Sequence, residues 1–406
     1  MTNTALNTDL LTPLAAYLRL REAGRASFLL ESVDQGRLGR YSLVGCGDRI
    51  VTFEEAEELD VPVVGYLGYD HIAKLERTVP LPADGPDAPE SRFIVADVFL
   101  RFDHVTGTAE VFAGDPPAVA QLLAEPAETD EQVVTAGTTV RFPDQAEHER
   151  RVGVAQEHIR RGDIFQVVLS QRAVRETTVS PLAVYRALRR INPSPYLFLL
   201  ELDGMALVGS SPETHVKAEG SRASLNPIAG TTARGEGDAE RLLTSEKDRA
   251  EHVMLVDLGR NDLSRVCVPG TVKVERFLEA ERFSHVTHLV SEVAGELADG
   301  VTPFDLLRAT FPAGTVSGAP KIRAMQIISE LEGYRRGTYA GIVGYHVPGV
   351  ALDTCIAIRT VRLQDGRAYL QAGGGIVADS NPTDEHHECL NKLAALEAAI
   401  EVAESQ

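Results

Sequence analysis

YLFLLELDGMALVGSS, residues 196–211, holds two apolar stretches separated by Asp203 and Gly204. Each stretch has the length and side-chain character of a strand, and an Asp-Gly pair between them supplies the positive-φ residues of a tight hairpin turn. Antiparallel pairing follows. Upstream, the pattern predicts a helix over 145–161 that Gly162 stops before the strand-like IFQVVLSQRAV of 164–174, and Ser180 with Pro181 reads as the cap and first residue of the helix PLAVYRALRRI. Downstream it predicts a long helical stretch over 238–264, strands over 271–295, helices over 303–310 and 320–333, strands over 339–379 and a last helix over 382–404. Hairpins this frequent exclude a doubly wound parallel sheet, and the fold class is α+β.

The segment 114–147, beginning GDPPAVAQLLAEPAETDEQ, lacks a sustained strand pattern and sets a soft boundary near 140, dividing an N-terminal segment, 1–140, from a larger part, 141–406. The 406 residues, 44% hydrophobic and 24% charged, suffice to bury a substantial core. With 59 acidic against 40 basic residues the net charge is −19, a field that repels nucleic acid and anionic membranes. An anionic substrate would need local basic groups, backbone amides or a metal ion. Cys46, Cys267, Cys355 and Cys389 are far apart and form no CxxC or Cys/His set, which fits a reducing cytoplasm. The N-terminus lacks the basic start and long apolar core of a signal peptide, and no run of about 18 uncharged apolar residues occurs.

Several residues stand out chemically. Glu251 opens an apolar run in DRAEHVMLVDLGRND, and DEHHE at 384–388 sets Glu385 and Glu388 on one helical face. Two carboxylates from distant helices suit a hard, oxygen-loving cation such as Mg²⁺. Three glycine-containing loops, PIAGTTARG at 227–235, SGAPK at 317–321 and QAGGGIV at 371–377, would let backbone approach a ligand, and none has a Rossmann or Walker pattern. Arg359, Tyr339 and His288 occupy strand-like positions where an inward polar group needs a partner. Taken singly, a solvated face, a tight turn or a satisfied core histidine accounts for each as well.

The ordered set GDIFQVVLSQR (162–172), INPSPYLF (191–198), NPIAGTTARG (226–235), AEHVMLVDLGRND (250–262), FSHVTHLVSEV (283–293), SGAPKIRAMQII (317–328), YAGIVGY (339–345), DTCIAIRT (353–360), QAGGGIVADS (371–380) and DEHHECLNK (384–392) resembles the chorismate-utilising enzymes, and within them the anthranilate synthase component I branch. The resemblance spans about 145–400 and implies a large antiparallel-sheet sandwich with flanking helices, completed by the N-terminal segment.

The resemblance also implies a chemistry. Water-adding members carry a lysine base where this chain has Gln166, and aminodeoxychorismate-forming members commonly carry a lysine nucleophile where it has Ala229. Ammonia is then the nucleophile, adding to chorismate at C2 before pyruvate leaves and the ring aromatises to anthranilate. By the same resemblance Glu251 and Glu388 hold Mg²⁺, His288 and Glu251 are catalytic, and Gly230, Thr231, Tyr339, Arg359, Gly373, Gly374 and Gly375 contact chorismate. A separate glutamine amidotransferase subunit would deliver the ammonia. L-tryptophan would act as feedback inhibitor in a pocket formed by Leu30, Glu31 and Ser32 with Asn192, Pro193, Pro195, Tyr196, Leu197 and Phe198. Two departures stand out: 53–66 matches only loosely, and Thr232-Ala233 replaces a frequent Arg-Pro pair. The alternatives are an aminodeoxychorismate synthase and a non-catalytic tryptophan-sensing protein on the same scaffold.

Overall fold

The structure is a computed structural model that describes residues 5–8, 11–34, 37–124, 134–282 and 286–405. The hairpin that opened the sequence reading forms as expected. Tyr196–Leu202 pairs antiparallel with Met205–Ser211, and Asp203 and Gly204 turn the chain at φ 34° and 89°. The hairpin sits at the centre of a 12-stranded sheet whose order is Ala5–Asn7, Thr108–Ala113, Val98–Asp103, Arg37–Gly47, Ala26–Asp34, Tyr196–Leu202, Met205–Ser211, Thr360–Gln364, Arg367–Ile376, Gln166–Thr177 and Gly318–Ala319, with Ala136–Phe142 also paired to Gln166–Thr177.

A second, 10-stranded sheet runs Ile228–Ala233, Val286–Glu296, Arg222–Leu225, Thr214–Glu219, Ala351–Ile356, Ile342–Val347, Val63–Leu67, Ser91–Val95 and Arg49–Val51, with Lys273–Arg282 on Val286–Glu296. Early and late strands interleave in both sheets. Ala26–Asp34 pairs with Tyr196–Leu202, and Val63–Leu67 pairs with Ile342–Val347.

The alternating side chains of these strands define three apolar layers. Phe28, Phe99, Phe198 and Leu207 from the first sheet meet Val64, Ile94, Val343 and Cys355 from the second, forming the core between the sheets. The opposite face of the first sheet, with Leu29, Leu197 and Leu199, packs beneath the helices Pro13–Leu20, Pro181–Ile191 and Pro382–Glu404. The outer face of the second sheet is covered by Glu246–Ser264, Pro303–Thr310 and Lys321–Glu332. The fold is therefore the expected α+β sandwich with flanking helices.

Cap chemistry sets the helix ends. Ser180 accepts a hydrogen bond from the Ala183 amide, and Gly333, at φ 61°, ends Lys321–Glu332. The stretch expected as one helix over 238–264 is two, Asp238–Thr244 and Glu246–Ser264. The break falls at Ser245, which leaves the helical region and caps the second helix through the Asp248 amide, a local bond that competes with helix continuation. Among the described residues no helix is long and apolar enough to cross a membrane.

Candidate active site

The site begins with two neighbouring strands. Gln166–Thr177 pairs with Arg367–Ile376 so that Val168 faces Gly375 and Ser170 faces Gly373. The glycines clear space for specific neighbours: a β-carbon on Gly375 would lie 2.3 Å from Gln166 Nε2, and one on Gly373 would lie 2.7 Å from the Tyr339 hydroxyl. On the opposite face, a β-carbon on Gly374 would lie 3.1 Å from Glu385 Oε2 and 3.5 Å from Glu388 Oε1.

Gln166 joins this row to the helix Glu246–Ser264, donating from Nε2 to Glu251 Oε1 at 3.2 Å. Burial raises the Glu251 carboxyl above its ordinary value, and the charges of Asp248 and Glu388 add to the effect. Glu385 is likewise pushed up by burial, with the Glu388 charge contributing. Glu388 accepts from Lys392 Nζ at 2.7 Å, and the same ammonium donates to the Gly373 carbonyl at 2.8 Å. Glu388 thus repels both Glu251 and Glu385, a set of carboxylates offset by Lys392, which is bonded to Glu388, and by the charge of Lys247. That donor set fits a hard divalent cation, which would relieve the repulsion with oxygen ligands alone. Among the described residues the tightest set of potential ligands lies elsewhere, at Glu54, His71 and Glu90, and there Lys74 Nζ already bridges the two carboxylates at 2.9 and 2.7 Å.

His288 comes from the second sheet, on the strand Val286–Glu296, opposite the backbone of Thr231. Its Nδ1 donates to the Gly230 carbonyl at 2.9 Å; a carbonyl can only accept, so the bond fixes the proton on Nδ1 and leaves the lone pair on Nε2. Burial lowers the His288 pKa against the pull of the Gly230 hydrogen bond, and Arg359 lowers it further, so the site favours the neutral ring. Gly230, at φ 64°, packs against Asp248 and Leu242 on the helical side. The Thr231 side chain lies outside the described residues.

Arg359 sits at φ 50°, and among the described residues its guanidinium makes no hydrogen bond. Burial lowers its pKa, with the Glu213 charge acting in the opposite sense. Glu213 itself is a site residue that the sequence reading passed over. Burial holds its carboxyl protonated, pushed up to about 8, although Thr315, Arg359 and Lys392 all pull the other way. Its SSPET context looks like an ordinary turn after a strand. The one available signal was an acid placed directly after a fully buried strand, Met205–Ser211.

Behind the glycines, a buried pair supports the floor. Glu332 accepts from the Ser170 amide at 2.9 Å and its hydroxyl at 2.7 Å, while Arg336 closes on Glu332 and donates to the Val316 and Val168 carbonyls at 2.7 and 2.8 Å. Every nitrogen of the guanidinium and both carboxylate oxygens have at least one partner, the condition under which such a desolvated pair is tolerated. The SGAPK loop joins the sheet through Gly318–Ala319, and Lys321 is fixed to Asp262 at 2.6 Å.

The two segments expected to form an inhibitor pocket do meet, because Glu31 lies opposite Leu197 and Leu30 opposite Phe198, and the Val33 amide donates to the Ser194 carbonyl. Strand alternation nevertheless divides them. Leu30, Tyr196 and Phe198 face the core between the sheets, where the Tyr196 hydroxyl reaches Thr214 and Asp353, both at 2.9 Å. Glu31 and Leu197 face the helices. There Glu31 accepts from the Tyr185 hydroxyl at 2.5 Å and lies 3.5 Å from Arg189. Ser32 packs against Gly39, Asn192 accepts from the Ser210 hydroxyl through its carbonyl, and Pro193 and Pro195 are half-buried.

The two-sheet sandwich thus gathers a set of carboxylates, a histidine and an arginine without an ion pair among the described residues around one glycine strand. Residues 17–398 match the family described as chorismate binding enzyme, and the chain belongs to that family. It is 43% identical to anthranilate synthase component 1 of Thermus thermophilus, over 98% of this chain and 97% of that protein. It is 42% identical to the probable anthranilate synthase component 1 of Schizosaccharomyces pombe, over 98% and 92%. Among solved structures, anthranilate synthase component I from Streptococcus pneumoniae superposes with a TM-score of 0.78 at 35% identity, covering 96% of this chain and 98% of that one. The menaquinone-specific isochorismate synthase of Escherichia coli shares the fold, with a TM-score of 0.79 at 20% identity over 98% and 93% of the two chains.

Proposed function

We propose that this chain is the chorismate-converting subunit of an anthranilate synthase, turning chorismate and ammonia into anthranilate, pyruvate and water in tryptophan biosynthesis. The observation that carries the reading is Gln166, an amide that can neither take a proton from water nor act as a nucleophile, bonded to Glu251 at the heart of the site. Ala229 is consistent with it, being a buried methyl where an amine would form a covalent adduct.

Arg359 offers a two-pronged donor to a substrate carboxylate, and the Tyr339 hydroxyl beside Gly373 closes the pocket. Glu213, protonated at neutral pH, donates its proton to the hydroxyl leaving from C4, while ammonia attacks C2. The ammonium formed at C2 loses a proton to solvent, and the Nε2 of His288 then takes the C2 proton as the C3–O bond breaks and the ring becomes aromatic, the departing enolpyruvate taking up a proton to become pyruvate. Glu251 and Glu388, joined by Glu385, would hold Mg²⁺ against the ring carboxylate, where the ion supplies Lewis-acid stabilisation of charge. Lys392 keeps Glu388 oriented.

A glutamine amidotransferase partner supplies the ammonia in this reading. The chain's four cysteines are all buried, and burial pushes the Cys46 and Cys389 thiols up to about 12, so neither is a nucleophile for glutamine. Purified chain given chorismate, Mg²⁺ and ammonium at mildly alkaline pH is expected to develop anthranilate fluorescence without a partner. No turnover under those conditions would favour a binding protein on the same scaffold.

L-tryptophan inhibits in this reading from the space between the sheets beside Leu30, Ser32, Pro195, Tyr196 and Phe198. Ser32→Ala and Pro195→Ala are expected to raise the inhibitory concentration of tryptophan by about fivefold or more. Glu31→Gln, on the other face, is expected to lower the melting temperature and leave inhibition within about twofold, because it weakens the Tyr185 and Arg189 contacts. Inhibition assays with melting curves on the three variants separate these effects.

Gly373→Ala bears on substrate fit. The added methyl would also meet the Leu169 carbonyl at 2.8 Å, and a backbone atom cannot yield as a flexible side chain does. The KM for chorismate is expected to rise by about tenfold as Tyr339 is displaced. Steady-state kinetics on a variant of unchanged circular dichroism checks it.

A further inference from the structure

The face of Gln166–Thr177 and Arg367–Ile376 that carries Gln166, Gly375 and Gly373 continues past Tyr339 into a second cleft, of about 480 Å³ including its mouth. Arg172 stands opposite Gln371, and Tyr369 stands opposite both Val174 and, on the next strand, Arg362. These residues line the cleft, together with Tyr334, Tyr339 and Arg336.

Its charge is unbalanced. Arg336 is neutralised by Glu332, but among the described residues neither Arg172 nor Arg362 forms an ion pair. Arg172 lies over the Tyr334 ring at 3.5 Å and makes no hydrogen bond among the described residues. Arg362, 3% exposed, lies over the Tyr369 ring at 3.8 Å and uses only Nη1, on Gln364 and the Asp87 carbonyl, leaving Nε and Nη2 without a hydrogen-bond partner among the described residues. Glu332, already paired with Arg336, and Asp84 act on Arg172, and Asp87 acts on Arg362, all through charge alone and without an ion pair. Burial lowers the pKa of both arginines, so each is held charged at a desolvation cost that the carboxylates among the described residues offset only in part. In a chain of net charge −19, two stacked and immobilised guanidiniums at one cleft are a device for an incoming anion.

We propose that this cleft binds a small oxyanion, a phosphate or a carboxylate, held by the free edges of Arg172 and Arg362 at a site separate from the catalytic one. Tyr339 and the Gln371–Ser170–Glu332 hydrogen bonds stand between the two sites. A buried Arg362 and a half-buried Arg172, set among tyrosine rings, favour a small anion over a macromolecular surface.

Isothermal titration of the full chain with inorganic phosphate, and separately with acetate, at constant ionic strength in chloride, tests the proposal. The expected result is saturable binding of one of the two, weakened at least about tenfold in Arg172→Gln and retained in Arg359→Gln. The anion that binds identifies its class. Arg172→Lys, which keeps the charge and loses the planar fork, is expected to weaken binding to a lesser extent and serves where the glutamine variant fails to fold. Absence of saturable binding of either anion, equal binding by wild type and the Arg172 variants, or weakening in Arg359→Gln as large as that in Arg172→Gln would overturn it.

Discussion

Replacing Glu213 by glutamine is expected to lower kcat by about 10²–10⁴-fold, the range a positioned general acid contributes, while leaving the protein folded. Burial pushes the carboxyl up to about 8, so wild-type kcat/KM should fall as pH rises above about 8 and the proton needed at the leaving hydroxyl is lost. The glutamine variant should lack that limb of the profile. Stability moves the other way. A carboxyl raised from about 4.5 to about 8 favours the protonated folded state, so its contribution is complete below about pH 4.5 and is lost as pH climbs toward 8. Glu213→Gln cannot ionise and should therefore melt no lower than wild type at pH 8. Activity profiles and melting curves across pH 5–9 read both effects, and a variant that loses activity and stability together would mark Glu213 as structural.

The second large effect concerns the carboxylate group. Glu251→Gln and Glu388→Gln are each expected to weaken Mg²⁺ binding by more than about tenfold and to abolish most turnover at ordinary Mg²⁺ concentrations, because each removes a charge from a small oxygen ligand set. The two variants should differ in stability. Glu251 is held away from water beside Gln166, where burial and the Asp248 and Glu388 charges disfavour its ionised form, so a neutral amide there should maintain or raise the melting temperature without Mg²⁺. Glu388 is half-exposed and paired with Lys392, so its loss frees that ammonium and should leave the melting temperature nearly unchanged. Calorimetric Mg²⁺ titration and melting curves with and without the ion check both; equal Mg²⁺ affinity in wild type and variants would remove these residues from the metal site.

Much of this was legible in the chain because local chemistry decided it. Asp203-Gly204 specifies a positive-φ turn whatever surrounds it, and Ser180-Pro181 starts a helix for reasons contained in a few residues. The spacing of Glu385 and Glu388 put both acids near Gly374, since a helix brings residues three apart onto one face. What escaped depended on burial and on strand register, which are properties of the assembled sandwich. Glu213 acquires its role only by being enclosed beside Arg359 and Thr315. Glu31 and Tyr196 looked like partners in one pocket, yet alternation along paired strands turns them to opposite faces, and no local signal near LLES reveals which. The arginine cleft was hidden for the same reason, because Arg172 and Arg362 belong to separate strands and become neighbours only through Arg367–Ile376 between them.

The claim on which the rest depends is that ammonia, and not water or an enzyme lysine, attacks the ring at C2. Incubating the chain with chorismate, Mg²⁺ and nitrogen-15-labelled ammonium, and reading the product by mass spectrometry and proton–nitrogen correlation, tests it directly. Attack by ammonia at C2 gives anthranilate with the label on the amine ortho to the carboxylate, together with one pyruvate per turnover. Unlabelled isochorismate, or labelled 4-amino-4-deoxychorismate with no pyruvate released, would contradict it.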